Sequence, residues 1–77
     1  MSASPTPSVQ VHQVQSSLLA SVAYHITVGL LDVVLTNGYR YRYFDVPSHI
    51  YADLLRADSK GRFFNAQIKG VFRYQRF

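Results

Sequence analysis

The stretch that decides the fold is LDVVLTNGYRYRYF, residues 31–44. It contains Asn37-Gly38, a dipeptide that strongly indicates a β-hairpin, between two runs of alternating residues. Leucine and valine recur at every second position before the dipeptide, and tyrosine alternates with arginine after it. This period is typical of strands that bury one face. The sequence therefore predicts two antiparallel strands joined by a tight turn.

The length of the turn determines which side chains share a face. A two-residue turn would place Arg40 and Arg42 on the apolar face, whereas a three-residue loop over 36–38 keeps them outside. Because a slip of one residue exchanges the two faces, we predict the longer loop, with Gly38 as the left-handed residue of a G1 bulge. The predicted pairs are Leu35 with Tyr39, Val33 with Tyr41, Leu31 with Tyr43, Asp32 with Arg42 and Val34 with Arg40.

The rest of the chain predicts one more strand before the hairpin and three elements after it. Residues 18–26 form the first strand, and Pro47 suits the first position of a helix with apolar residues at three- and four-residue spacing. Ser59 is the N-cap of a shorter helix that Gly70 ends, and residues 71–77 alternate as a closing strand. The order β-β-β-α-α-β predicts an α+β fold, a small antiparallel sheet with the helices packed on one face.

Length and composition predict a single domain over residues 16–77. Residues 1–15 are rich in Ser, Pro and Gln with few apolar side chains, so we expect a flexible tail. The absence of cysteine excludes disulfides, and the 48% hydrophobic content must supply the core. We see no signal peptide, and polar residues interrupt the apolar stretch 17–35, so we expect a cytoplasmic protein without a membrane span.

Charge is concentrated in the second half of the chain. Residues 1–39 carry −1 and residues 40–77 carry +5, which favours a polyanionic partner. The alternative interpretation is structural, with arginines in cross-strand pairs such as Asp32 with Arg42, and Ser59-Lys60-Gly61-Arg62 an ordinary helix start. The candidate nucleic-acid-binding residues are Arg40, Arg42, Lys60, Arg62, Lys69, Arg73 and Arg76.

Nothing in the sequence indicates catalysis or a metal. The three histidines, His12, His25 and His49, lie in different predicted elements without ligand spacing. No strand-turn-helix G-x-S-x-G motif frames a nucleophile, and no pair of carboxylates is set apart for acid–base chemistry. We therefore expect neither an enzyme nor a bound cofactor.

A family resemblance extends across residues 16–76. It begins with Ser16-Ser17, Leu19, Val22 and Tyr24, and three spaced motifs follow. They are Leu31-x-Val33-x-Leu35-x-x-Gly38-x-x-Tyr41-x-Tyr43, Val46-Pro47-x-x-Ile50-Tyr51-x-x-Leu54-Leu55-x-Ala57 and Ser59-x-Gly61-x-Phe63-Phe64-Asn65-x-x-Ile68-Lys69-Gly70-x-Phe72-x-Tyr74-x-Arg76. This pattern resembles the KTSC domain family, a small accessory module found at the C-terminus of some lysyl-tRNA synthetases or standing alone. The resemblance implies the α+β fold above, and the fusion makes contact with RNA the natural expectation.

Two functions remain open from the sequence. The first is a module that binds nucleic acid, RNA in particular, through the basic residues. The second is a protein-interaction or self-associating module whose basic residues provide solubility. The small size favours association with another copy, because domains of this length bury little core on their own.

Overall fold

The computed structural model describes residues 9–13 and 16–77, which form a five-stranded antiparallel sheet and two helices. The order of strands across the sheet is their order in the chain, so β1 and β5 are the edges. The two helices follow β4, and β5 then returns beside β4. The elements are β1 (Val9–Gln13), β2 (Leu19–His25), β3 (Leu30–Leu35), β4 (Arg40–Tyr43), α1 (Ser48–Arg56), α2 (Lys60–Gln67) and β5 (Tyr74–Arg76).

The hairpin of β3 and β4 has the predicted register. Gly38 has a φ of +93°, and its N–H donates to the Leu35 carbonyl at 2.9 Å, while the Leu35 N–H donates to Tyr39 at 2.8 Å. These bonds close the three-residue loop and confirm the bulge. The strand pairs are Leu31 with Tyr43, Asp32 with Arg42, Val33 with Tyr41 and Val34 with Arg40.

The core lies between the sheet and the two helices. A bulge in β2 allows the side chain of Leu19 to stay in the core. The register shifts at this point, since Leu19 pairs with Leu35 and Ser21 pairs with Val34. Two residues therefore separate Leu19 from Val22 instead of one, and both of these side chains point inward. The buried side chains are Leu19, Val22, Tyr24, Leu31, Val33, Tyr43, Val46, Tyr51, Leu54, Phe64 and Ile68.

The start of α1 is tied to the turn between β2 and β3. The Val46 N–H donates to the Gly29 carbonyl at 2.9 Å, and the Tyr24 hydroxyl donates to the Val46 carbonyl at 2.6 Å. The Tyr24 ring stacks on Tyr51 of α1 at a centroid distance of 4.7 Å. Pro47, predicted as the first helical residue, is instead the extended N-cap of α1, a difference of one position.

Helix α2 begins as the sequence indicated and ends at Gln67, earlier than the predicted end near Lys69. The Ser59 hydroxyl accepts from the Arg62 N–H at 3.3 Å, the predicted N-cap bond. A Cβ on Gly61 would lie 3.4 Å from the Leu18 Cβ, so α2 approaches the segment before β2 closely. Gly70, with a φ of +79°, follows the last turn. The α+β class, the antiparallel sheet and the helices on one face are therefore confirmed.

Two secondary-structure predictions are wrong in part. Val9–Gln13, which we expected in a flexible tail, pairs with β2, because the edge of β2 supplies hydrogen-bond partners that local composition does not reveal. Residues 1–8 and 14–15 of that predicted tail lie outside the described residues. The closing strand covers only Tyr74–Arg76, since the N–H groups of Val71 and Phe72 donate to the Ile68 carbonyl and hold 71–72 in a turn.

We predict that Gly38→Val lowers the free energy of unfolding by roughly 1–3 kcal/mol, because a β-branched residue resists the left-handed conformation of this position. Urea denaturation of both proteins measures the difference. Gly38→Asn is the matched control and should cost less, since asparagine tolerates the left-handed region. Equal losses in the two variants would contradict the conformational explanation.

Candidate nucleic-acid interface

Three of the seven candidate residues, Arg40, Arg42 and Arg73, lie on the outer face of the sheet, opposite the helices. The Arg42 Nε and Nη2 atoms donate to the two carboxylate oxygens of Asp32 at 2.8 and 3.0 Å. The Arg40 and Arg42 guanidinium carbons each lie 5.4 Å from the ring centroid of Phe77. Arg73 lies 4.9 Å from the Phe44 centroid. The structural interpretation of Asp32 and Arg42 is therefore correct, and each of these three arginines has an intramolecular partner.

Asp32 is the centre of the outer-face network. Besides Arg42, it contacts the His25 Nε2 atom at 3.0 Å. Burial disfavours the charged carboxylate, but the hydrogen bonds and charges of Arg42 and His25 outweigh this and hold the pKa of Asp32 below its ordinary value. Asp32 in turn raises the pKa of Arg42 through its hydrogen bonds and charge. The pair is thus ionised at neutral pH and holds the Arg42 guanidinium against the sheet.

Lys60 and Arg62 line a polar cleft where α2 approaches the segment before β2. We call this the serine cleft; it measures about 510 Å³. The Lys60 ammonium donates to the Ala57 carbonyl at 3.1 Å, and the Arg62 side chain is exposed. The other lining residues are Ser16, Ser17, Leu18, Asp58, Ser59, Gly61 and Asn65.

Lys69 borders a second, smaller cavity between α2 and the strands β4 and β5. We call it the tyrosine pocket; it measures about 120 Å³ and is lined by Tyr41, Tyr43, Tyr74 and Phe64. The ring centroids of Tyr41 and Tyr43 lie 5.6 and 5.7 Å from that of Tyr74. Asn65 and Lys69 complete its polar side, and Leu18 and Leu35 its apolar side.

The two cavities adjoin, because Leu18 and Asn65 line both of them. Arg76 pairs with Tyr41 in the sheet register and lies 5.1 Å from the Tyr39 ring centroid, so it borders the same face. We use the name α2 face for the surface that comprises the serine cleft, the tyrosine pocket and Arg76. It carries four of the seven candidate residues, Lys60, Arg62, Lys69 and Arg76.

Sequence reasoning missed the aromatic half of the α2 face. The sequence analysis placed the row of tyrosines of β4 on the core side of the sheet, where they could not stack on a ligand. The observed register does place these tyrosines on the core side. However, the helices cover only one end of the row, since Tyr43 is 3% exposed and Tyr39 52% exposed. Tyr74 of the edge strand is 56% exposed. The sequence carries no local signal for this exposure, because it depends on the place of β5 at the edge of the sheet.

Among residues 9–13 and 16–77, no three His, Asp or Glu side chains lie close enough together to hold a metal ion. The same residues include no helix that is long and apolar enough to cross a membrane.

Comparisons with known proteins agree with this architecture. The family model of the KTSC domain matches residues 15–72. The crystal structure of a KTSC domain protein from Yersinia pestis superimposes with a TM-score of 0.83, at 33% identity, over 90% of this chain and 97% of that one. The fold thus defines a small α+β module with two helices on one face of an antiparallel sheet. The chain belongs to the KTSC domain family.

Two relatives show where such modules occur. An uncharacterized protein of Stutzerimonas stutzeri is 43% identical over 63 residues, which are 80% of this chain and 89% of that protein. A lysine–tRNA ligase of Nostoc punctiforme is 34% identical over 61 residues, 79% of this chain but only 11% of the ligase. The module therefore has relatives of its own size and a relative within a much longer enzyme.

We predict that stability falls at alkaline pH because of Tyr43. Burial, together with the neighbouring Tyr41 and Tyr74, raises the pKa of Tyr43 to about 12, above its ordinary value of 10.0. The folded protein therefore holds this proton more tightly than the unfolded chain, and the free energy of unfolding declines as the pH rises from 10 toward 12. Tyr43→Phe should reduce this decline by up to about 1.4 kcal/mol per pH unit, measured by urea denaturation at pH 9, 10 and 11. Parallel pH profiles of the two proteins would contradict the assignment.

Proposed function

We propose that this KTSC domain is an accessory module, without catalytic activity, that binds RNA through the α2 face. One observation carries the proposal: three basic residues, Lys60, Arg62 and Lys69, line two adjoining cavities, one polar and one aromatic, that meet at Leu18 and Asn65. Arg76 lies over Tyr39 on the same face. Basic side chains neutralise phosphates and aromatic rings stack on bases, so single-stranded nucleic acid is the ligand whose chemistry matches both cavities.

The distribution of acidic residues also favours the α2 face over the outer face. Asp32 is bound to Arg42 on the outer face, and Asp53 is bound to Arg56 on α1. Asp58 lines the serine cleft beside Lys60 and Arg62, so one carboxylate accompanies two bases there, and the tyrosine pocket has Lys69 and no acidic lining residue. Lys69 has no ion pair among the described residues. The cations of the α2 face are therefore freer to contact phosphate than Arg42, which must first leave Asp32.

The relative in Nostoc punctiforme supports RNA as the class of ligand. Its name, lysine–tRNA ligase, describes an enzyme that acts on an RNA, and a segment of it is similar to this chain. A module that contacts RNA is useful both within such an enzyme and alone. In this proposal the partner is cytoplasmic RNA, and the outer-face arginines Arg40, Arg42 and Arg73 add only diffuse attraction.

We predict that reversing two charges of the α2 face, Arg62→Glu with Lys69→Glu, weakens binding of a fluorescent single-stranded 12-mer RNA at least about tenfold at ~100 mM salt. The slope of log affinity against log salt should also fall by about 1.4, since each phosphate contact contributes about 0.7 for single strands. Fluorescence anisotropy from 50 to 200 mM salt gives both quantities.

The matched control is Arg40→Glu with Arg73→Glu, which changes the net charge equally on the outer face. It should weaken binding about threefold or less, and circular dichroism must show both double variants folded. Equal losses would mean diffuse attraction without a defined site. Non-specific binding of nucleic acid is detectable at protein concentrations up to ~100 µM. If the wild-type protein binds no RNA in this concentration range, the RNA proposal is wrong and the protein-interaction alternative replaces it.

A further inference from the structure

The tyrosine pocket has the size of a single aromatic ring. Its volume is about 120 Å³. A cavity of ~150 Å³ in another protein holds one benzene molecule, whereas a water molecule occupies only ~30 Å³. The pocket is therefore too large for one water and too small for most drug-sized ligands, which need ~300 Å³ or more. A six-membered ring fits it, and a fused two-ring system fits it less well.

The walls of the pocket are suited to a flat ring. Tyr41 meets Tyr74 edge to face, with 71° between the ring planes, and Tyr43 meets Phe64 in the same manner at 82°. More than half of the Tyr74 surface remains exposed, so its ring is accessible to a stacking partner. Tyr43 is protonated at neutral pH, as any tyrosine with a pKa of 10.0 or above is, and so adds no negative charge near a phosphate. Aromatic walls of this kind bind bases through stacking, which every base can provide, so the volume of the pocket is what favours a one-ring base.

Polar groups lie at the rim, where the edge of a bound base and its flanking phosphates would be. The exposed Asn65 amide offers both a donor and an acceptor, which the Watson–Crick edge of a pyrimidine requires. The Lys69 ammonium lies on the same rim, and Arg76 borders the neighbouring part of the face beside Tyr39. None of the residues that line the pocket is acidic. The charge of the rim is thus complementary to a nucleotide.

We propose that the tyrosine pocket binds one unstacked pyrimidine base of a single-stranded RNA, with Tyr74 as the stacking ring and Asn65 at the base edge. This inference rests on the proposed function, because the phosphates on either side of the base contact the basic residues of the α2 face. The strand then passes over Leu18 and Asn65 into the serine cleft, where Arg62 contacts a further phosphate.

The test compares three labelled 12-mers on the full chain by fluorescence anisotropy: oligo(U), oligo(A) and an abasic strand with the same number of phosphates. We expect oligo(U) to bind at least about fivefold more tightly than the abasic strand, and more tightly than oligo(A), with similar salt slopes for all three. Equal affinity for oligo(U) and the abasic strand would overturn the base pocket while leaving RNA binding intact. Tighter binding of oligo(A) would overturn the single-ring assignment, and no binding of any strand would remove the proposed function as well.

Two substitutions connect the preference to the pocket. Tyr74→Leu keeps an apolar side chain but removes the ring, and Asn65→Ala leaves a good helix former in α2. Each should reduce the preference for oligo(U) over the abasic strand to less than about twofold, with an unchanged salt slope because no phosphate contact is lost. Tyr74→Phe, the control, retains the ring and should retain the preference. An undiminished preference in both Tyr74→Leu and Asn65→Ala would place the base elsewhere and overturn the proposal.

Discussion

The register of the β3–β4 hairpin is the constraint on which the rest of the molecule depends. With the three-residue loop, Leu31 and Val33 share the inner face with the tyrosines of β4, and the ion pair of Asp32 and Arg42 lies outside. A slip of one residue would carry the arginines into a core that contains no buried charged side chain among the described residues. Removing charges from water without partners costs several kcal/mol each, so the alternative register is strongly disfavoured.

The inner face set by this register positions both helices. Leu31 and Val33 of β3, fully buried, face α1 and α2 across the core. The turn that precedes β3 then brings Gly29 to the Val46 N–H, and this bond fixes where the chain enters α1. A Cβ on Gly29 would lie 3.4 Å from the Val46 carbonyl oxygen, and its φ is +68°, so the approach favours glycine. These contacts also determine the geometry of the α2 face, because α2 packs against α1 and the sheet.

How much of this could be predicted depended on the range of the interactions involved. The hairpin register, Ser59 as an N-cap and the order of elements from β2 onward follow from patterns within a few residues. The strand β1 does not, because its short VQVHQ pattern becomes a strand only through bonds to β2, whose edge is defined by the whole sheet. The adjoining cavities likewise arise where the segment before β2 meets α2, more than forty residues later in the chain. A contact between segments so far apart in the chain cannot be predicted from a local sequence pattern.

The division of the basic residues over two faces could have been predicted from alternation alone. Side chains three apart on a strand point to opposite faces, because their period is two. Arg73 and Arg76 have this spacing: Arg73 lies over Phe44 on the outer face, and Arg76 beside Tyr39 on the face of the helices. If residues 71–77 form one continuous strand, Arg73 and Arg76 must therefore lie on opposite faces, and the seven basic residues cannot share a single surface. Both faces offer an exposed aromatic ring beside a cation without a carboxylate partner, Phe77 with Arg40 on the outer face and Tyr74 with Lys69 on the α2 face. The α2 face differs because its ring and cation line a cavity that a ligand can enter.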